Sequence, residues 1–151
     1  MTARQAESVR TSAVRRDALR GQLPVVGVVA VGGALGAVAR YAVSLWWSAR
    51  AGGFPWATFS INVVGCAVIG VFLVLVTEAW RPHPLLRPFF GTGVLGGFTT
   101  FSTYAVDIEK LLRAGHPGTA FGYLAATLCA ALTAVWLAAT ATRRVLTWRQ
   151  S

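Results

Sequence analysis

Apolar residues fall into four long runs, with polar, charged and turn-forming residues collected between them and at both ends of the chain. The runs cover about Pro24 to Trp47, Trp56 to Trp80, Leu85 to Leu112 and Thr119 to Thr140. Crossing about 30 Å of hydrocarbon takes roughly 20 helical residues, so each run is long enough to span a bilayer as a helix. Gly52-Gly53-Phe54-Pro55, Arg81-Pro82-His83-Pro84 and Gly115-His116-Pro117-Gly118 punctuate them. Connections this short make consecutive helices antiparallel neighbours. Trp46, Trp47, Trp56 and Trp80 stand at run ends, where amphipathic indole rings sit at headgroup depth. The pattern predicts an all-α integral membrane protein of four spans. A polar, Arg-rich tail covers 1–22, the membrane domain 23–142, and a basic tail 143–151.

Composition agrees with the pattern. In 151 residues, 55% are hydrophobic, 13% are charged and the mean hydropathy is +0.58, so four spans leave no length for a soluble catalytic domain. A net charge of +9 and a pI near 11.3 would suggest nucleic acid in a soluble chain. Here the basic residues flank apolar runs, so they are topology signals and no nucleic-acid partner is expected. The tail over 1–22 is expected to be disordered or a helix lying on the membrane surface. It is too long and polar for the n-region of a cleaved leader, and the run behind it is too long for an h-region, so the first span is expected to stay uncleaved.

Four spans place both termini on one side. That side collects Arg4, Arg10, Arg15, Arg16, Arg20, Arg81, Arg87, Arg143, Arg144 and Arg149, against Arg50, Lys110 and Arg113 opposite. The positive-inside rule puts both termini in the cytoplasm, and the membrane is expected to be the cell's inner (plasma) membrane. Cys66 and Cys129 lie inside apolar runs without metal or disulfide spacing and behave as small hydrophobes.

Polar groups within hydrocarbon are costly, so the few present mark a bundle interior or a watery path. Asn62, early in the second span, can donate two hydrogen bonds to an anion or tie two helices together. Arg40, in the second half of the first span, either snorkels to the interface or lures anions to a vestibule. The third span reads Gly91-Thr92-Gly93-Val94-Leu95-Gly96-Gly97-Phe98-Thr99-Thr100, and each glycine costs a helix roughly 1 kcal/mol relative to alanine. A break near Gly96 to Thr100 is expected; the alternative is an unbroken helix that uses glycine for close packing. A break would expose carbonyls suited to a hard cation such as sodium, and amides suited to an anion.

Beyond the break, Phe101 and Tyr104 share a helix face beside Ser102 and Thr103. Aromatic rings carry a positive edge that an anion can meet. In the fourth span Tyr123 and Thr127, four apart, place two hydroxyls on one face; back-bonding to the preceding turn is the plainer use of such hydroxyls. Ala126, Ala130, Ala134 and Ala138 form a smooth face for close packing.

Three segments together resemble the CrcB/Fluc fluoride channels: Gly32-Gly33-x-x-Gly36-Ala37-x-x-Arg40-Tyr41, then Thr58-Phe59-Ser60-Ile61-Asn62-Val63-Val64-Gly65, then Gly96-Gly97-Phe98-Thr99-Thr100-Phe101-Ser102-Thr103. The resemblance runs from about Val25 to Thr142, and the third segment is its most specific part. It implies an antiparallel dual-topology dimer with two fluoride pores along the subunit interface and a structural sodium ion on the two-fold axis. It also implies that Gly96 and Thr99 give the sodium-coordinating backbone carbonyls and that Asn62 lines the pore. By the same resemblance Phe101 and Tyr104 contact fluoride, while Ser102, Thr103, Tyr123 and Thr127 fall at or near polar pore positions and Arg40 at the vestibule. Tyr104 departs from the family's usual phenylalanine: its hydroxyl has fluoride to donate to, the path to obstruct, or a partner that pulls the ring aside. The implied activity is passive export of cytoplasmic fluoride, protecting the cell from its toxicity.

Other classes fit less well. A small multidrug transporter needs a carboxylate inside its first span, and Pro24 to Trp47 holds no Asp or Glu. Glu78, Asp107 and Glu109 lie toward span ends, as solvated caps. An enzyme is not expected, because His83 and His116 both lie in loops and no nucleophile, base and pocket come together. The one-sided charge favours a subunit that inserts mainly one way, with an oppositely oriented paralogue completing the dimer, over a homodimer that inserts both ways.

Overall fold

The computed structural model describes residues 3–47, 52–79 and 83–148, with side chains from residue 22 onward. Helix α1 runs from Ala3 to Trp46 with Pro24 inside it, so the backbone over 3–22 is helical and continuous with the first apolar run. Helix α2, Trp56–Val74, ends in a π-helical turn, Leu75–Ala79. A π-helical segment, Pro88–Leu95, then leads into α3, Gly96–Phe98, and α4, Phe101–Arg113. Helix α5 spans Pro117–Trp148. No strand occurs among the described residues.

Three helical stretches are long and apolar enough to cross a membrane, 22–46, 56–79 and 117–148. The third apolar run, expected as one span over 85–112, is present in pieces, none of which reaches that length by itself. Trp80 and the charge-bearing Arg50, Arg81 and Arg149 of the sequence argument lie outside the described residues.

The ends of the helices follow local chemistry. Pro117 occupies the first turn of α5, where its missing N–H is no loss. Gly115, at φ +77°, terminates α4. Its N–H bonds the Leu112 carbonyl, and the His116 N–H bonds the Leu111 carbonyl, the paired bonds of a Schellman stop.

Packing divides the chain into two touching pairs: α1 lies against the π-helical segment and α3, and α2 lies against α5, with α4 also on α5. The first pair meets backbone to backbone. A Cβ placed on Gly32 would stand 2.5 Å from the Phe89 carbonyl oxygen, one on Gly36 would strike the Val94 carbonyl, and one on Gly97 the Gly33 carbonyl. Close packing is therefore a use these glycines have in addition to whatever they do for the backbone at residues 99–100. In the second pair Gly70 admits the Val135 carbonyl and the Ala138 methyl, where the alanine face of α5 was expected to pack.

Few of the described residues are buried. A small core of Leu111, Ala120 and Tyr123 is covered by Phe54, Phe59, Tyr104 and Ile108. Leu35, Val38, Leu128, Leu132 and Trp136 stay more than half exposed, a surface untenable in water and natural in hydrocarbon. At one end Arg143 Nε pairs with Glu78 Oε1 at 2.7 Å, joining α5 to the end of α2, and Arg87 Nη2 donates to the Val76 carbonyl at 2.8 Å. Glu109 pairs with Arg113 along α4. Glu78 thus sits at the end of a membrane-crossing stretch, as expected of it.

Candidate functional site

Between α3 and α4 the backbone leaves the helix. Thr99 (φ −74°, ψ 155°) and Thr100 (φ −148°, ψ 124°) are extended, a conformation that suits β-branched residues better than a helix does. Extended backbone in the middle of a bundle needs partners from other elements, and Asn62 of α2 supplies them. Its Nδ2 donates to the Thr100 carbonyl at 3.0 Å and its Oδ1 accepts from the Thr100 N–H at 2.9 Å. Both amide functions therefore grip one peptide unit each side of Thr100, and one Nδ2 hydrogen is left over. Gly65, one turn further along α2, leaves room for the Thr99 methyl.

Thr100 also caps α4. Its Oγ1 accepts from the Thr103 N–H at 3.1 Å, donates to Thr103 Oγ1 at 3.0 Å and lies 3.2 Å from Ser102 Oγ. Arg40 Nη1 reaches Thr103 Oγ1 at 3.4 Å from α1.

The extended residues take the helical donors away from four consecutive carbonyls, Gly96 to Thr99. In a continuous helix the Gly96 carbonyl would accept from the Thr100 N–H, and the Thr99 carbonyl from the Thr103 N–H. Asn62 takes the first donor and the Thr100 hydroxyl takes the second. Gly96 is exposed, and a Cβ there would meet nothing within 4 Å. Among the described residues no group of three His, Cys, Asp or Glu side chains is placed to hold a metal, so backbone oxygens are the donors on offer here.

One side of the break opens into a cavity of about 260 Å³ lined by Asn62, Cys66, Thr99, Thr100, Phe101, Tyr104, Thr127, Leu128 and Ala131. Thr127 is the telling residue. Thr77, Thr99, Thr133, Thr140 and Thr142 each donate to the carbonyl four residues back, but Thr127 Oγ1 does not: it is buried and faces the Tyr123 hydroxyl, which also faces Thr58, with no bond of ordinary length at either. The cavity wall thus brings together Asn62, Phe101, Tyr104 and Thr127 from the expected set.

Tyr104 donates its hydroxyl to the Leu124 carbonyl of α5 at 2.8 Å. Its ring lies between Phe101, at 5.8 Å, and Tyr123, at 5.2 Å. Phe101 is 80% exposed, so its ring faces whatever adjoins the chain in the membrane.

Ser102, Thr103 and Arg40 belong to another quarter. A second cavity of about 260 Å³ lies against Arg40, Tyr41, Ser44, Thr58, Thr100 and Thr103. Thr100 touches both cavities, and Ser102 joins the hydroxyl cluster through Thr100.

Sequence reasoning passed over several residues of this site. Thr100 is both cap and clamp anchor, and a threonine followed by a helix start is a legible cap signal. Cys66 lies four residues after Asn62, on the same face of α2, and lines the first cavity. Asp107 accepts from the buried Thr58 hydroxyl at 2.7 Å, tying α4 to α2 where only a solvated cap was expected. No spacing rule connects residues 58 and 107.

The family model described as CrcB-like protein, Camphor Resistance, matches residues 27–139. The chain is 66% identical over 143 residues to the fluoride-specific ion channel FluC 1 of Streptomyces coelicolor, covering 95% of this chain and 93% of that protein. It is 68% identical over 121 residues to FluC 2 of Streptomyces avermitilis, covering 80% and 77%. FluC 3 of the same S. avermitilis strain is 46% identical over 110 residues, covering 70% and 54%.

Proposed function

Since the chain belongs to the family of CrcB-like proteins, we propose that it is a subunit of a fluoride-selective channel, not an enzyme, through which cytoplasmic fluoride leaves by passive electrodiffusion. The observation that carries the proposal is the cavity beside the break at Thr99 and Thr100, whose wall holds the amide of Asn62, Thr127 and the rings of Phe101 and Tyr104. Fluoride is small and strongly hydrated, so a path for it must offer close donors in place of water and exclude larger anions by width. The spare Nδ2 hydrogen of Asn62, the hydroxyl of Thr127 and the ring edges of Phe101 and Tyr104 are such donors, with the Tyr123 hydroxyl behind Thr127. The start of α4 adds the positive end of a helix and the N–H groups of Phe101 and Ser102, which have no acceptor within the helix. None of these is a fixed cation that would trap the ion. Arg40, Ser102 and Thr103 form the approach on the opposite side of Thr100.

The 85–113 stretch is read as one membrane crossing interrupted at Thr99 and Thr100, giving four spans in all. Two such subunits in antiparallel orientation make the working unit, with membrane lipid around it. The carbonyls of Gly96 and Thr99 fit a sodium ion at the interface. They are hard oxygen donors, their helical partners are engaged elsewhere, and unwound carbonyls of this kind suit Na⁺. Such an ion would supply charge that holds the two interrupted segments together; the clamp by Asn62 and the cap by Thr100 are what this chain contributes to presenting the oxygens.

A second reading is favoured by the one-sided distribution of arginine, with both termini cytoplasmic. S. avermitilis has relatives of this chain numbered FluC 2 and FluC 3, which fits pairing between paralogues. In that case the chain inserts one way and is a non-conducting or half-functional partner in a heterodimer. Fluoride efflux from liposomes holding the purified chain, with chloride as control ion, tests the first reading: a fluoride-selective leak is expected, and a comparable chloride leak overturns it. No leak from the chain alone, together with terminal tags that map to a single side, would support the second.

A further inference from the structure

Phe54, one of the residues that cover the small core, lies in the turn between α1 and α2 and outside the cavity. Its ring meets Tyr123 edge to face, with centroids 5.2 Å apart and planes at 89°. Tyr123 is fully buried and lies 5.2 Å from Tyr104 at 55°, and Tyr104 lies 5.8 Å from Phe101 at 50°. Phe54 is itself held by Trp56 at 4.5 Å and by Phe59 at 5.4 Å and 70°. The rings form one unbroken row from the loop to the helix break.

Tyr104 is fixed at both ends, by its backbone and by its hydroxyl bond to Leu124. The motion left to it is rotation of the ring about its long axis, which decides where its edge hydrogens point. The ring packed against it, Tyr123, governs that rotation. The Tyr123 hydroxyl faces those of Thr58 and Thr127 without a bond of ordinary length, so ring packing helps to orient it, and its edge-to-face neighbour is Phe54. We propose that Phe54 is a positioning residue for the conduction path: through Tyr123 it sets the rotation of Tyr104, and so the ring edges offered to fluoride. The role in conduction rests on the fluoride reading above; the control over Tyr104 does not.

An edge-to-face pair shifts a conformational equilibrium by up to about tenfold, which sets the expected size of the effect. The full chain is purified as wild type, Phe54→Leu, Phe54→Tyr and Trp56→Leu. The Trp56 variant removes a ring that touches Phe54 and Phe59 but not Tyr123. Liposome efflux of fluoride is expected to slow by up to about tenfold for Phe54→Leu, with a larger chloride share, and to recover for Phe54→Tyr, while Trp56→Leu, which loosens Phe54 but leaves its ring on Tyr123, slows efflux by less than Phe54→Leu does. In parallel, ring-labelled tyrosine is followed by NMR in micelles; with only 3 tyrosines in the chain, the Tyr104 and Tyr123 signals are assignable by substitution. Faster ring flipping at both is expected in Phe54→Leu. Unchanged Tyr104 flipping, or an equal loss of efflux in Trp56→Leu, overturns the proposal. If the wild type passes no fluoride, the channel reading has failed, and the ring spectra alone decide whether Phe54 controls Tyr104. Should Phe54→Leu not assemble, Phe54→Met, which keeps volume and loses the ring edge, takes its place.

Discussion

Replacing Asn62 by alanine removes two bonds at once, Nδ2 to the Thr100 carbonyl at 3.0 Å and the Thr100 N–H to Oδ1 at 2.9 Å. Thr100 is only 8% exposed, so an N–H and a C=O are left in a poorly hydrated place. Each such orphaned group costs about 1–3 kcal/mol, whereas interhelical side-chain bonds in membrane proteins average about 0.6 and reach about 1.7 kcal/mol. The cavity of about 260 Å³ that Asn62 and Thr100 both line gives water access to the vacated space, which favours the lower part of the range for each group. Two groups then lose about 2–3 kcal/mol together. The shift is measured by titrating micellar protein with sodium dodecyl sulfate and following tryptophan fluorescence. Asn62→Leu sharpens the test: it keeps the side chain's volume but offers the Thr100 N–H no acceptor and the Thr100 carbonyl no donor, so it should be destabilised as well. A shift under about 0.5 kcal/mol in both variants refutes the clamp. Loss of fluoride efflux with no change in stability would mean that the amide serves only the ion.

Three further outcomes follow from the same geometry. Gly36→Ala drives a methyl into the Val94 carbonyl and should abolish folded yield, whereas Gly122→Ala meets nothing within 4 Å and should be neutral or gain up to about 1 kcal/mol of helix propensity; thermal unfolding in detergent separates them. Tyr104→Phe loses the bond to Leu124 and should cost about 1 kcal/mol of stability while keeping most of the fluoride efflux, since the ring edge survives. Thr127→Val deletes a buried hydroxyl that meets only the Tyr123 hydroxyl, without a bond of ordinary length, and should change stability by less than about 1 kcal/mol, yet lower fluoride efflux; a larger loss of stability without loss of efflux would assign that hydroxyl to packing.

The spans were legible because hydrophobic run length is a direct statement about bilayer thickness, and 22–46, 56–79 and 117–148 are helical where the runs lie. The π-helical turns at 75–79 and 88–95 were not legible. They depend on where a neighbouring chain segment offers room and a donor, as Arg87 does for the Val76 carbonyl, and not on a local composition that the chain advertises. The glycines of 91–97 posed two alternatives, and both carry information: Gly32, Gly36, Gly93 and Gly97 permit backbone contact, while the extended residues are the two threonines that follow. Glycine count alone does not distinguish these uses, since a missing Cβ serves close approach as readily as it weakens a helix.

The site was legible as a list of residue types and illegible as a set of commitments. Asn62 stands out in the sequence as an amide inside an apolar run with two possible uses, but which atoms it spends is decided by the backbone of a residue 38 positions away. Tyr104 shows the same limit. Its hydroxyl had three destinations on paper, and the one realised in the fold is the Leu124 carbonyl, on a helix whose motif is the loosest in the chain. This changes what the departure from phenylalanine means. A phenol anchored on α5 neither projects its hydroxyl freely into the cavity nor leaves the ring free to tilt, so the substitution stiffens the wall that it joins. The side chain that then sets the ring's one remaining freedom is reached through Tyr123 from Phe54, a loop residue that periodicity and span analysis give no reason to inspect.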